Sequence, residues 1–526
     1  MFIKVFLLVV FFAVTVFIGI YFRKRASSVS GFVLGSRNVG PWLTAFAYGT
    51  TYFSAVIFVG YAGQFGWKYG TAAVWVGLGN AFIGCLLPWI ILGRRTRIMT
   101  HHLKSATMPE FFGKRYGSDA LKIGASIIVF IFLIPYTASL YNGLSRLFSV
   151  AFGIDFIWCI IGMAVLTAVY VVAGGYFATA VNDFIQGIIM LGGMVAVIAV
   201  ALGNNGGFLS ALSKLGQVVP DAGTPVSAPG VFTSFFGPDP LNLLGVVLLT
   251  SLGTWGLPQM ISKFYAIKSE KTINKGAIIS TVFAVVIAGG SYFLGSFGRL
   301  YANVIEYNPT TKAPVFDSII PKIISGFPDI LVGLVVLLVL SASISTLSSL
   351  VMTSASTLTL DFLKGHVVKK MDEKKQLLVI RSLILVFIAI SVLIATIQYS
   401  GSVIFIAQLM SISWGALAGS FLAPFLYGLY WKRVSRKAVW WSFGFGSLFT
   451  LVHVILNVFF HDNAFLKIVP AILQSPINAG AFTMLMGLII VPVVTLLTKP
   501  DHKLADACFT CYDETVSVKV SADLGD

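Results

Sequence analysis

Residues Leu338–Phe362 read LVLSASISTLSSLVMTSASTLTLDF. The stretch is apolar enough to lie in a membrane, yet Ser341, Ser343, Ser345, Thr346, Ser348, Ser349, Thr353, Ser354, Ser356, Thr357 and Thr359 all carry hydroxyls. At helical spacing Ala342, Ser345, Thr346 and Ser349 share one face, with Ser348 beside it. Small residues let membrane helices pack closely. Neutral hydroxyls and backbone carbonyls also suit a small hard cation such as Na⁺, because they supply oxygens without burying net negative charge. Both readings fit this helix alone; other parts of the chain turn the balance toward an ion site.

The whole chain agrees with a membrane setting. Its 526 residues are 57% hydrophobic and 11% charged, and its mean hydropathy is +0.90, whereas a soluble domain carries about 25% charge. Apolar runs of spanning length fall near 2–22, 41–65, 71–93, 120–147, 154–174, 183–203, 240–262, 275–298, 328–360, 377–398, 402–430, 437–459 and 479–498. The expected architecture is an all-α polytopic membrane protein of about 13 transmembrane helices, forming one transporter domain over 1–498. Residues 2–22 lack a small-residue cleavage site and are followed by Arg23-Lys24-Arg25, so they read as a retained first helix.

A net charge of +16 invites a nucleic-acid reading, but the position of the charge decides otherwise. Alternate loops place 26 Lys or Arg on one side and 6 on the other. This bias puts the N-terminus outside and the C-terminus in the cytoplasm of a cell-membrane protein, with loop charge facing anionic lipid and no nucleic-acid partner. The outer loops 204–239 and 299–327 hold Gly, Pro and short apolar stretches and are expected to fold back as lids. The tail, 499–526, is polar and expected to be disordered. Its Cys508 and Cys511 form a lone CxxC, half of a zinc site; free tail thiols are the expectation, with a zinc site as the alternative.

Two spans are interrupted. The second holds Gly49, Gly60 and Gly63 around Thr50, Thr51, Tyr52 and Ser54; the seventh holds Gly253, Gly256 and Pro258. These are the first helices of two successive groups of five. Helices broken at matching positions of two halves point to a midplane binding site between inverted repeats. Unwound backbone there presents carbonyls to a cation and N–H groups to an anionic group. Between the fifth and sixth spans lies GGYFATAVNDFIQ, 174–186. Its Asp183, expected to open the sixth span from the cytoplasmic side, reads either as a helix N-terminal carboxylate or as an ion ligand.

With Gly35-Ser36-Arg37, Gly40, Met108-Pro109-Glu110-Phe111-Phe112, Arg115-Tyr116 and Ser145-Arg146-Leu147-Phe148 added to these elements, residues 30 to 430 resemble the sodium/solute symporters. That family includes bacterial sodium/pantothenate and sodium/proline permeases and the sodium/glucose transporters. The resemblance implies a LeuT-type fold of five-plus-five inverted repeats, here about 41–203 and 240–430, with extra helices at 2–22, 437–459 and 479–498. It implies a shared sodium site from the carbonyls of Thr50, Phe53 and Ala342 and the hydroxyls of Ser345 and Thr346. As some members have a second site, it also implies a further sodium at Asp183, Ser345, Ser348 and Ser349, so that one ion or two would be bound. Tyr52 stands where proline permeases carry an aspartate, which counts against proline as the solute.

The expected solute pocket is lined by Tyr52, Phe53, Ser54, Ile57, Pro135, Tyr136, Thr254, Trp255, Gln259, Gln408 and Trp414. It is aromatic with few charges, as suits a small solute held by stacking and a few hydrogen bonds. The functional expectation is sodium-coupled import of an amino acid, organic acid or pantothenate-like molecule by alternating access. The alternative is a sodium-coupled sugar or sialic-acid-type symporter. A channel, a transporter-derived sensor and an enzyme are less favoured, and no obligate protein partner is evident.

Overall fold

The computed structural model describes residues 2–221, 224–308, 312–368, 370–401, 406–459 and 469–517. Among them, eleven helical segments are long and apolar enough to cross a membrane. Two are double length. Val56–His102 turns at Gly70, where φ is 59° and ψ −138°. Phe156–Gly203 bends at Gly175, where φ is 60° and ψ −169°. Dividing both yields thirteen crossings, in the order read from hydropathy.

Gly175 corrects one boundary. A gap between the fifth and sixth spans was expected at 175–182, but the helix continues on both sides of this single residue. Only glycine adopts that backbone conformation readily, and a Cβ there would press on Ala26 and Phe32. Asp183 therefore does not open the sixth span. It lies about two turns inside it, fully buried.

Both interrupted spans break where expected. Pro41–Tyr52 stops because Phe53 is extended, at φ −101° and ψ 105°. The helix restarts at Ser54, whose Oγ accepts from Val56 N–H at 3.3 Å and whose carbonyl accepts from Ile57 and Phe58. Pro240–Leu252 ends in a tight turn, Gly253–Trp255. Leu257 is extended, and Pro258–Tyr265 begins on a proline, as proline's fixed φ favours a first helical position and disfavours helix before it. Val39 and Ile267 bridge in parallel, tying the start of one broken span to the end of the other.

Burial sorts the helices. The most apolar windows of Asp329–Lys364 and Ile406–Tyr430 are 89% buried, against 22% for Phe2–Ala26. The first two form the protein's interior, and the last lies on the rim facing lipid. Gly66 and Gly295 bring two helices into backbone contact, leaving no room for a side chain.

Up to Ser517 the tail departs from expectation; residues 518–526 lie outside the described residues. His502–Ser517 is a helix, begun by Asp501, whose Oδ1 accepts from Leu504 N–H at 3.2 Å. Its buried side, Ala505, Cys508, Phe509 and Cys511, docks on the segments that carry Arg95, His102, Arg115 and Lys432. His102 reaches the Ala507 carbonyl, Arg115 stacks on Phe509, Arg95 on Tyr512, and Lys432 pairs with Asp506. Amphipathic packing outweighs the polar composition on which disorder was expected.

Candidate ion and solute site

The hydroxyl-bearing face of the ninth span, Asp329–Thr357, meets the broken second span at the point where its helix stops. Thr346 Oγ1 lies 3.3 Å from the Thr50 carbonyl, 3.1 Å from that of Thr51 and 3.0 Å from that of Ala342. Ser345 Oγ donates to Thr50 Oγ1 at 2.8 Å. Beside them, the ψ of Phe53 turns its carbonyl out of the helical direction. Thr50, Ala342, Ser345 and Thr346 are thus brought together as a knot of buried oxygens, with Phe53 at its edge and Thr51 as an unexpected member.

One turn further along the ninth span lies a second cluster. Ser348 Oγ contacts the Ile344 and Ser345 carbonyls at 2.6 and 3.0 Å and accepts from Tyr170 OH at 3.0 Å. Ser349 Oγ meets Thr51 Oγ1 at 3.0 Å and accepts from Lys263 Nζ at 2.9 Å. Both Asp183 carboxylate oxygens are buried and make no hydrogen bond of good geometry, with Lys263 and Ser345 the groups acting on them. Lys263 is 2% exposed and sits 5.2 Å from the Tyr176 ring centroid.

Lys263 and Tyr170 were missed in the sequence. Lys263 was counted among the cytoplasmic loop charges, and its burial removes it from that tally. A signal was present: Pro240–Tyr265, broken as it is, has the length and hydropathy of a span, and a lysine inside such a segment marks function. Tyr170, in an apolar run, carried no signal.

The expected solute residues divide into two groups. Trp414 gathers the first: its ring stacks on Tyr52 with centroids 6.1 Å apart and meets Tyr136 edge-on at 6.0 Å. Tyr136 OH lies beside Ser54 and the Trp414 side chain, but Tyr136 OH, Trp414 Nε1 and buried Gln259 Oε1 make no hydrogen bond of good geometry. Orphaned buried polar atoms are rare unless something else satisfies them. The second group is anchored to the third span: Thr254 Oγ1 donates to the Gly84 carbonyl at 2.8 Å and Trp255 Nε1 to that of Ile83 at 2.9 Å. Tyr52 OH donates across to the Thr250 carbonyl at 2.6 Å, joining the two broken helices. Ile57 is buried just after the first break, Pro135 lies within the unbroken helix Asp119–Phe152, and Gln408 is half-buried.

A cleft runs from the loop at Ala106 and Thr107 to Lys263 and Ser349 of the second cluster. It is lined by Thr107, Tyr176, Thr179, Lys263, Ser349 and Ser356, and has about 40 Å³ of water-sized space, room for at least one water. At the opposite end of the broken second span, Arg299 pairs with Asp221 at 2.5 Å, donates to the Trp67 carbonyl at 2.7 Å and stacks on Phe232 at 4.0 Å. Asp221 and Phe232, in the described parts of the 204–239 loop, are thereby pinned against the second half of that span. At the tail, Cys508 and Cys511 are buried free thiols, and among the described residues no three His, Cys, Asp or Glu side chains cluster as metal ligands.

Among curated proteins, sodium/proline symporter 2 of Staphylococcus saprophyticus is 28% identical over 461 residues, covering 85% of each chain. The osmoregulated proline transporter OpuE of Bacillus subtilis is 30% identical over 434 residues, 81% of this chain and 84% of that protein. A solved Na⁺-coupled sialic acid symporter superposes with a TM-score of 0.70 at 17% identity, covering 95% of this chain and 99% of that one. Mhp1, a nucleobase-cation-symport-1 family transporter, superposes with a TM-score of 0.51 at 14% identity, over 90% of this chain and 98% of its own. The fold is the LeuT-type arrangement. The sodium:solute symporter family matches residues 32–446, a stretch holding both broken spans and the hydroxyl-bearing ninth span, and the chain belongs to that family.

Proposed function

We propose that this chain uses Na⁺ bound at Thr50, Phe53, Ala342, Ser345 and Thr346 to drive import of a small amino-acid-class solute held beneath Trp414. Sodium-coupled symport of a small organic solute is the family's activity; the site and the solute class are the proposal. The observation that carries the site is Thr346 Oγ1 standing among three carbonyls at 3.0–3.3 Å, two of them from the unwound second span. Neutral oxygens at one point, on two helices that move against each other in alternating access, are what a coupling Na⁺ requires.

The aromatic group of Tyr52, Tyr136 and Trp414 supports a compact solute with an apolar body or an amine to face the rings. A solute carboxylate is met by Na⁺ and by the half-helix N-terminus at Ser54, without an arginine. Two relatives named for proline, 28% and 30% identical, support the amino-acid class, while Tyr52 favours a member other than proline. One Na⁺ driven by ~100 mV and a tenfold gradient supports roughly 400-fold accumulation of a neutral solute. The basic inner loops support a cell-membrane orientation with the C-terminus in the cytoplasm.

Uptake into proteoliposomes tests this reading. An inward Na⁺ gradient is expected to drive accumulation of one member of a panel of labelled amino acids, pantothenate, monocarboxylates and sugars. Uptake that ignores the Na⁺ gradient would refute the coupling, and accumulation of a sugar alone would refute the solute class.

A further inference from the structure

The second oxygen cluster already holds a cation, and the cation is part of the chain. Asp183 is fully buried, and with only Ser345 beside it and no hydrogen bond of good geometry its charge must be balanced from nearby. Lys263 acts on it electrostatically, and Lys263 Nζ bonds Ser349 Oγ at 2.9 Å. Ser349 is one of the oxygens that a second Na⁺ would use. The other serine of the cluster is engaged as well: Ser348 contacts two carbonyls and takes the Tyr170 hydroxyl proton.

The ionisable groups of opposite sign at this point are Asp183 and Lys263, with Tyr170 bonded to Ser348 and the Tyr176 ring beside Lys263. A Na⁺ added here would leave two cations against one carboxylate in a buried setting, where repulsion is weakly screened. A Na⁺ can therefore enter only if Lys263 leaves Ser349. We propose that the Lys263 ammonium is a tethered cation that fills the Asp183–Ser348–Ser349 site and excludes a second Na⁺, so that the transporter couples one Na⁺ to each solute. The covalent tether distinguishes the two sites. An ion at the shared site dissociates into the cytoplasm on each cycle, whereas Lys263 stays, neutralises Asp183 throughout and lines the cleft through which the free ion departs.

This inference rests on the proposed sodium reading and is tested with ²²Na⁺ alone on the purified full-length protein, which needs no knowledge of the solute. The wild type is expected to bind one Na⁺ per chain without cooperativity. Lys263→Met, which removes the charge and keeps the length, is expected to bind two, and Lys263→Arg one. Adding Asp183→Asn to Lys263→Met is expected to restore one. Two Na⁺ in the wild type would overturn the proposal even if no variant folds, and so would a count of one in a folded Lys263→Met protein. Failure of the shared site would read differently: Thr346→Ala would then leave the wild-type ion in place, whatever the count in Lys263→Met.

Discussion

Ser345 Oγ donates to Thr50 Oγ1 across 2.8 Å, closing a contact between residues 295 positions apart. With Thr346 on the Thr50 and Thr51 carbonyls, it fastens the ninth span to the break in the second. On the proposed reading, a Na⁺ entering here would turn these hydroxyl protons away and take the oxygens for itself. Ser345→Ala with Thr346→Ala removes two such oxygens and little packing volume. The Na⁺ concentration for half-maximal uptake is expected to rise at least tenfold, about 1.4 kcal/mol. An unchanged Na⁺ dependence in a well-expressed double variant would exclude both residues as ligands.

Trp414 is the common wall of the aromatic group, in contact with Tyr52 and Tyr136. Trp414→Ala removes both contacts and is expected to raise solute half-saturation at least tenfold while ²²Na⁺ binding stays measurable. Tyr52→Phe keeps the ring and loses the bond to the Thr250 carbonyl, a loss of about 1 kcal/mol, or roughly fivefold. Solute half-saturation unchanged in both variants would place the solute elsewhere.

The crossings and both breaks were legible because hydropathy and Gly/Pro punctuation act locally. Depth was less legible. Asp183 read as a helix opener because a polar, glycine-containing stretch resembles a loop, yet Gly175 alone makes the bend and the helix runs on. Lys263 read as loop charge because a lysine just after an apolar run usually snorkels to the surface. Its partner Ser349 is 86 positions away, and no local pattern reveals such a pair. The shared oxygen knot came through the family resemblance, since spacing within the ninth span selects a face but does not show what the face meets.

Topology is open to direct labelling. Lys370 lies in the inner loop before Glu373–Gly401, and Val219, 80% exposed, lies in the first outer loop. Thr311, in the second outer loop, falls outside the described residues. In whole cells an impermeant maleimide is expected to label Val219→Cys and spare Lys370→Cys, with the pattern inverted in inside-out vesicles. The opposite result at both positions would reverse the proposed orientation.

Arg299 clamps the outer loop through Asp221, Trp67 and Phe232. Arg299→Ala removes the charge-assisted bonds and the stacking together. Because Asp221 is largely exposed, solvent screens the pair, and the loss is about 1 kcal/mol. Amide exchange in Phe208–Gly216, the helix within that loop, is expected to quicken roughly fivefold. Exchange at the wild-type rate would show that other contacts hold the loop down.

The tail helix makes the last prediction. Cys508 and Cys511 are both 2% exposed, and burial raises the Cys508 thiol above its ordinary pKa against the opposing effect of Arg115. A raised pKa leaves less thiolate, the reactive form, near neutral pH. In a background lacking Cys85 and Cys159, both tail thiols are expected to alkylate at least ~10-fold more slowly than an exposed cysteine introduced by Lys503→Cys. Phe509 packs under Arg115 and near Lys432, so Phe509→Ala loosens the helix from the inner loops. Alkylation of Cys508 should then approach the rate of the introduced cysteine, while ²²Na⁺ binding, set by residues inside the membrane, remains. Rapid labelling of both thiols in the otherwise unaltered tail would show that the helix does not dock on the inner loops.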